Sequence, residues 1–152
     1  MEIERKYLIQ NLPGDYASYP HHDIEQGYLC TDPVVRIRKS DEEHFLTYKG
    51  QGLMVREEYN LPLTKEAYLH LKPKADGIFI HKTRYNIPYQ NGYTIELDIF
   101  RDSLAPLMLA EVEFPTKEEA ERFIPPDWFG EDVTFSAKYH NSTLSQKEQT
   151  ES

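Results

Sequence analysis

The sequence has 152 residues, 39% hydrophobic and 28% charged, which is the size of one ordinary domain with material for one core. No apolar run approaches the ~20 residues that cross a bilayer, and a single cysteine, Cys30, excludes an internal disulfide and points to a reducing, cytoplasmic setting. The net charge of −9, from 26 acids against 17 bases with no basic tract, argues against a nucleic-acid partner and is compatible with divalent metals.

The chain opens in a strand pattern at Glu2–Ile9 whose second residue is already charged, so no signal peptide is expected. Further strands are expected at Asp23–Cys30, Val34–Lys39, Glu43–Lys49 and Leu53–Leu61, separated by turn residues such as Asp32-Pro33, Ser40-Asp41 and Gly50-Gln51-Gly52. A first helix is expected over about Lys65–Lys72, with Thr64 as N-cap and Pro73 as stop. Strands resume at Phe79–Ile87, Tyr93–Phe100 and Leu107–Phe114, and Asn91-Gly92 between two of them is a hairpin signal. Thr116-Lys117-Glu118-Glu119 reads as a capping box that opens a second helix, which Pro125-Pro126 ends. The polar tail after Leu144 is expected to fray. No repeat or linker divides the chain, so residues 1–152 are expected to form a single domain.

One pattern carries chemical information. Charges of one sign recur two residues apart on strand after strand: Glu2/Glu4, Arg36/Arg38, Lys82/Arg84, Glu96/Asp98 and Glu111/Glu113. Residues two apart on a strand share a face, so each pair sets like charges side by side. The residues between them are Ile3, Ile37, Leu97 and Val112, with Thr83 as the exception, so the opposite faces are apolar. Lys6 continues the phase of Glu2 and Glu4, Lys49 that of Thr47, and Glu58 that of Arg56. Lys138 lies near the end of the patterned chain. A water-facing sheet would explain any one pair. Five pairs segregated by sign suggest instead that acids and bases line two sides of a shared cavity. About eight strands close into a barrel that holds one small ligand. Bases suit phosphate oxygens, arginine bidentately, and clustered carboxylates suit Mg²⁺ or Mn²⁺.

This pattern resembles the CYTH, or triphosphate tunnel metalloenzyme, family. Glu2-Ile3-Glu4-Arg5-Lys6 is similar to its ExExK signature. Val35-Arg36-Ile37-Arg38, Thr47-Tyr48-Lys49-Gly50, Lys82-Thr83-Arg84, Glu96-Leu97-Asp98 and Glu111-Val112-Glu113-Phe114 follow in the family's order, and Lys138-Tyr139-His140-Asn141 resembles its closing motif. The resemblance spans about residues 2–144. It implies an α+β fold, an eight-stranded antiparallel β-barrel (tunnel) with a few covering helices. Members hydrolyse inorganic, nucleoside or thiamine triphosphate, or cyclise ATP. The resemblance further implies metal held by Glu2, Glu4, Glu111 and Glu113, with Glu96 and Asp98 as further acids. Triphosphate contacts are implied for Lys6, Arg36, Arg38, Lys49, Lys82, Arg84 and Lys138. Of these, Lys6, Lys82 and Arg84 are expected to act at the reacting phosphoryl group. Asn60 stands where relatives often carry a second glutamate, which leaves the part of Glu58 open.

The expectation is a Mg²⁺- or Mn²⁺-dependent triphosphatase, a hydrolase of phosphoanhydride bonds that acts on a small triphosphate with no nucleic-acid or membrane partner. Its rivals are a class IV-type adenylyl cyclase on the same fold, a non-catalytic polyphosphate-binding module and a plain β-domain. The six histidines include adjacent His21 and His22 but no HxxxH or CxxC spacing, so no zinc site is expected. Cys30 reads as a small buried or edge residue. Tyr28 shares phase with Gln26 and could reach the cavity or pack in the core, and Trp128 reads as capping a hydrophobic contact.

Overall fold

The computed structural model describes residues 1–146. In chain order the strands are β1 (Glu2–Ile9), β2 (His21–Thr31), β3 (Val34–Ser40), β4 (Glu43–Lys49), β5 (Val55–Arg56), β6 (Glu58–Pro62), β7 (Asp76–Pro88), β8 (Thr94–Phe100), β9 (Met108–Glu113) and β10 (Phe129–Asp132). The helices are α1 (Lys65–Leu71), α2 (Lys117–Arg122) and α3 (Asn141–Leu144). All strands pair antiparallel in the order β10-β1-β9-β8-β7-β2-β3-β4-β6, and β5 returns to β1. None of the helices among the described residues is long and apolar enough to cross a membrane.

The expected strand over Leu53–Leu61 is two short strands divided at Glu57. β6 pairs with β4, from Lys49↔Glu58 to Phe45↔Pro62. β5 pairs with the start of β1, at Glu2↔Arg56 and Ile3↔Val55. The barrel is nearly closed as expected, but it is built from ten strands rather than eight, because the expected fifth strand is split into β5 and β6 and β10 is added. β10 is an addition outside the ring, on the same edge of β1, at Tyr7↔Asp132 and Ile9↔Phe129. Four residues with no alternation left β10 unread in the sequence. Gly130 fits there because a side chain would meet the Leu8 carbonyl at 2.7 Å.

Local chemistry fixes the other elements. Thr64 accepts from the Ala67 amide and Thr116 from the Glu119 amide, both at the expected N-caps. α1 ends at Leu71, two residues before Pro73, which lies in the 3₁₀ turn Lys72–Lys74. α2 ends at Arg122, because Phe123 is already extended. Asn91 and Gly92 take left-handed φ values of 61° and 76° in the β7–β8 turn.

Strand phase sorts the side chains into three regions. Outside, Ile95, Leu97, Ala110 and Val112 form a buried cluster under α2, whose Ala120 is fully buried. Phe123 and Phe129 join it, and Trp128 packs edge-on against Phe129 at 4.8 Å. α1 lies over β3 and β4, with Tyr68 against His44 at 5.0 Å. Thr83, the exception among the outward residues, accepts from Arg101 (2.9 Å) and donates to Asp23 (3.2 Å), a small polar ladder on the outer face. Inside, one end of the barrel is filled by Ile80, Phe100, Leu109 and Val34, together with Leu144 of α3. The other end is open and charged. Of the tail expected to fray, Ser145 is fully buried and its carbonyl accepts from the Ile78 amide. The residues beyond 146 lie outside those described.

Candidate active site

The ring order places the charged strands in two arcs. β1, β9 and β8 carry Glu2, Glu4, Glu111, Glu113, Glu96 and Asp98. On the other side β7, β2, β3 and β4 carry Lys82, Arg84, Arg36, Arg38 and Lys49. Lys6 is the one base inside the acidic arc, opposite Glu111 in register. A cavity of ≈ 200 Å³ lies between the arcs.

Ion pairs form where the arcs meet. At the β7–β8 seam, Arg84 grips Asp98 with two nitrogens, at 2.7 Å and 2.9 Å. Lys82 reaches the same carboxylate at 2.7 Å. At the other seam Lys49 joins Glu2 (3.0 Å) and Glu58 (3.4 Å). Between the seams the bases lack acids. Arg36 bonds only Thr47 (3.2 Å), and its buried Nε has no partner among the described residues. Arg38 donates to Gln26 at 2.8 Å. Burial pushes the Arg38 guanidinium down to about 9, and Arg36 and Arg84 beside it add to the shift. Burial also pushes the Lys82 ammonium down to about 7 against the opposing pull of Asp98.

The acids show the converse. Burial raises Glu4 well above the usual carboxylate range, and Glu111 and Glu2 push it further. Burial would raise Glu111 too, but Lys6 and Arg84 outweigh it and hold that group well below the range. Burial raises Glu2 as well, with Glu58 adding to the shift against the pull of Lys49.

Every expected site residue except two lines this cavity. Lys138 is exposed, its ammonium 5.2 Å from the centre of the Tyr139 ring, because the turn over Ala137–Tyr139 faces it outward. Asp98 is 0% exposed behind the wall, with one oxygen bound to Arg84 and the other to Arg84 and Lys82. Tyr28 reaches the cavity and accepts from Gln26 at 3.3 Å; Glu58 stands beside Asn60. Cys30 is partly buried and does not line the cavity.

Sequence reasoning missed His140, Asn141 and Ser142 at the inner end of the cavity, and Arg56 on β5. Strand periodicity finds only strand residues, whereas these three inner-end positions belong to a turn and a short helix. Burial drives the His140 imidazole down to about 4, and nearby Lys6 and Arg56 add to the shift.

Among the described residues no three His, Cys, Asp or Glu side chains converge as a ready-made metal site. The donor set nonetheless fits a hard cation. Glu2, Glu4 and Glu111 are oxygen donors on one wall of the cavity, and burial with like-charge crowding raises Glu2 and Glu4, a strain that a cation relieves. Mg²⁺ needs only one or two carboxylates when phosphate oxygens and water complete its shell.

The CYTH domain family model matches residues 1–150. A curated inorganic triphosphatase of Nitrosomonas europaea is 40% identical over 148 residues, covering 95% of this chain and 96% of the relative. Another, of Acetivibrio thermocellus, is 34% identical over 150 residues, covering 94% and 92%. The crystal structure of an inorganic triphosphatase aligns with a TM-score of 0.71 at 38% identity, covering 95% of this chain and 94% of that one.

Proposed function

The chain belongs to the CYTH domain family, and from that premise we propose that it is an inorganic triphosphatase, hydrolysing tripolyphosphate to pyrophosphate and orthophosphate. The observation that carries this reading is the unneutralised basic arc. Arg36 and Arg38 face a polar cavity with no ion pair, and the Arg38 guanidinium is pushed down by burial first and then by the like charges of Arg36 and Arg84. A polyanion relieves that repulsion, and the guanidinium forks suit phosphate oxygens.

Lys6 and Lys82 sit deepest, with Arg84 one step nearer the mouth, and the three neutralise the reacting phosphoryl group. Asp98 acts through them. Its two oxygens fix Lys82 and Arg84 before substrate arrives, so little reorganisation is needed as charge develops. Glu2, Glu4 and Glu111 would hold Mg²⁺ or Mn²⁺, with Glu113 and Glu96 nearer the mouth, and such an ion would supply charge neutralisation at phosphate oxygens and a more acidic water. The reaction is then one of positioning and electrostatics: water attacks the terminal phosphorus, the bridging P–O bond breaks, and no covalent enzyme intermediate forms.

The size of the cavity weighs against the cyclase alternative. At ≈ 200 Å³ it falls below the roughly 300–1,000 Å³ of pockets that enclose drug-sized ligands, and its inner end is shut, so an adenosine has no seat inside.

Phosphate release from tripolyphosphate, ATP and thiamine triphosphate, each with Mg²⁺, Mn²⁺ or Ca²⁺, tests the assignment. Tripolyphosphate with Mg²⁺ or Mn²⁺ should be turned over fastest. Tight tripolyphosphate binding with no release under any metal would make the protein a binding module instead.

A further inference from the structure

The inner end of the cavity is built by the segment from Ala137 to Ser145 rather than by a strand. The Lys6 ammonium donates to the Tyr139 carbonyl at 3.1 Å. Asn141 Oδ1 accepts from Lys82 at 3.0 Å and from Gln26 at 3.1 Å. Gln26 Oε1 in turn accepts from Arg38 at 2.8 Å. One amide oxygen thus ties the C-terminal segment to two bases directly or through one intermediary. Behind it Leu144 is 6% exposed, among Ile80, Phe100 and Leu109, so the barrel has no way through.

The opposite end is open and carries more exposed carboxylates. One step outward in strand phase from Lys82, Asp98 and Glu111 come Arg84, Glu96 and Glu113. Glu96 is 37% exposed at its side chain, Glu58 is 22% exposed, and Glu113 is exposed. The cavity is closed at its floor, where Lys6, Lys82 and Arg38 are tied to the C-terminal segment, and its mouth is lined by Glu58, Glu96 and Glu113 beside Arg84.

We infer that Asn141 is a positioning residue that sets the length of phosphate chain accepted, by fixing Lys82 and Gln26 at a closed floor opposite a carboxylate-lined mouth. The inference rests on the triphosphatase reading and deepens it. A chain that seats its end against the floor bases can extend only as far as the mouth. A fourth phosphate must lie among Glu58, Glu96 and Glu113, where like charges oppose it. Without the Asn141 amide, Lys82 and Gln26 lose their common acceptor, and the floor no longer holds the chain end at one depth.

The test compares tripolyphosphate with tetrapolyphosphate, by steady-state phosphate release with Mg²⁺ and by metal-free calorimetric binding. The proteins are the full chain and its Asn141→Ala and Asn141→Asp variants. Wild type should favour tripolyphosphate in both kcat/KM and affinity. Asn141→Ala should lower that preference about tenfold, the size of one lost hydrogen bond to a charged group. Asn141→Asp keeps an acceptor oxygen for Lys82 and Gln26, so its preference should stay within about twofold of wild type while its KM rises from the added negative charge. Asn141→Ser replaces the alanine variant if the latter does not fold. The inference is overturned if wild type treats both chains alike, or if the alanine or serine variant loses both equally and the ratio stays fixed. If no turnover occurs with either chain, the triphosphatase assignment fails alone, and the binding ratio still decides the role of Asn141.

Discussion

Asp98 is the residue on which the basic arc depends. It is 0% exposed, and it binds Lys82 and Arg84 at once. Arg38 and Lys82 face the cavity from neighbouring positions in the Gln26–Asn141 chain of hydrogen bonds. Arg38→Ala and Lys82→Ala should each lower kcat/KM by a factor on the order of 10²–10³, the range for losing a preorganised charge contact. Arg38→Lys should restore only part, because an ammonium lacks the planar fork; full recovery in the same phosphate-release assay would mean that only net charge matters. His140 gives a pH signature. Its ordinary value of 6.5 falls to about 4 in the folded chain, through burial and then Lys6 and Arg56. Between these values the unfolded chain takes up a proton that the folded chain refuses. Stability from this group is therefore complete above about 6.5 and declines as pH falls towards 4. Asp98 and Glu111 are shifted below their ordinary values and lose their contributions at lower pH, as each is protonated in the fold. Thermal melting of wild type and His140→Asn between pH 7 and 4 should show the variant with the flatter profile. Parallel profiles would mean the imidazole titrates normally in the fold.

Elements that announce themselves locally were legible in the sequence. β1, β4, α1 and α2 lie within a few residues of expectation, because alternating apolar positions and the Thr64 and Thr116 caps act over a few residues. The charged face was legible for the same reason: Glu2/Glu4, Arg36/Arg38 and Lys82/Arg84 each sit in one strand, and a period of two needs no tertiary information. What failed to show was whatever depends on a distant partner. The break at Glu57 arises because β6 belongs to β4 while β5 belongs to β1, and nothing in Arg56-Glu57-Glu58 states that choice. β10 exists because the outer edge of β1 beyond Lys6 is free to pair, with Gly130 allowing close approach to Leu8. Lys138 shared a motif with Asn141, but a 3₁₀ turn points the lysine outward and gives Asn141 the interior. In the family resemblance, the residue of the motif that faces the cavity was not the charged one.

Over the whole molecule, a chain of net charge −9 still sets five bases along one arc of an inner wall and leaves two of them, Arg36 and Arg38, without an ion pair there. Such an interior is under electrostatic tension until an anion enters. Tripolyphosphate without metal, at about 100 times its Kd, should raise stability by about 2.7 kcal/mol, or about 5–10 °C in Tm for a chain of this size. Glu2→Gln should keep that shift, and Arg36→Ala should lose most of it, as read by melting with and without tripolyphosphate. An unshifted wild type would mean that the basic arc does not take up the anion. The ring itself is uneven. Seven of its junctions run along five or more residue pairs, whereas β5 meets β1 through two. A hoop joined in this way has a clasp, and thermal opening concentrates where the fewest bonds must break. Lys49 reaches from β4 across that gap to Glu2 on β1 at 3.0 Å and so fastens the clasp from within. Whatever draws the Glu2 carboxylate away from Lys49, a cation included, loosens the hoop at the place where its wall is thinnest.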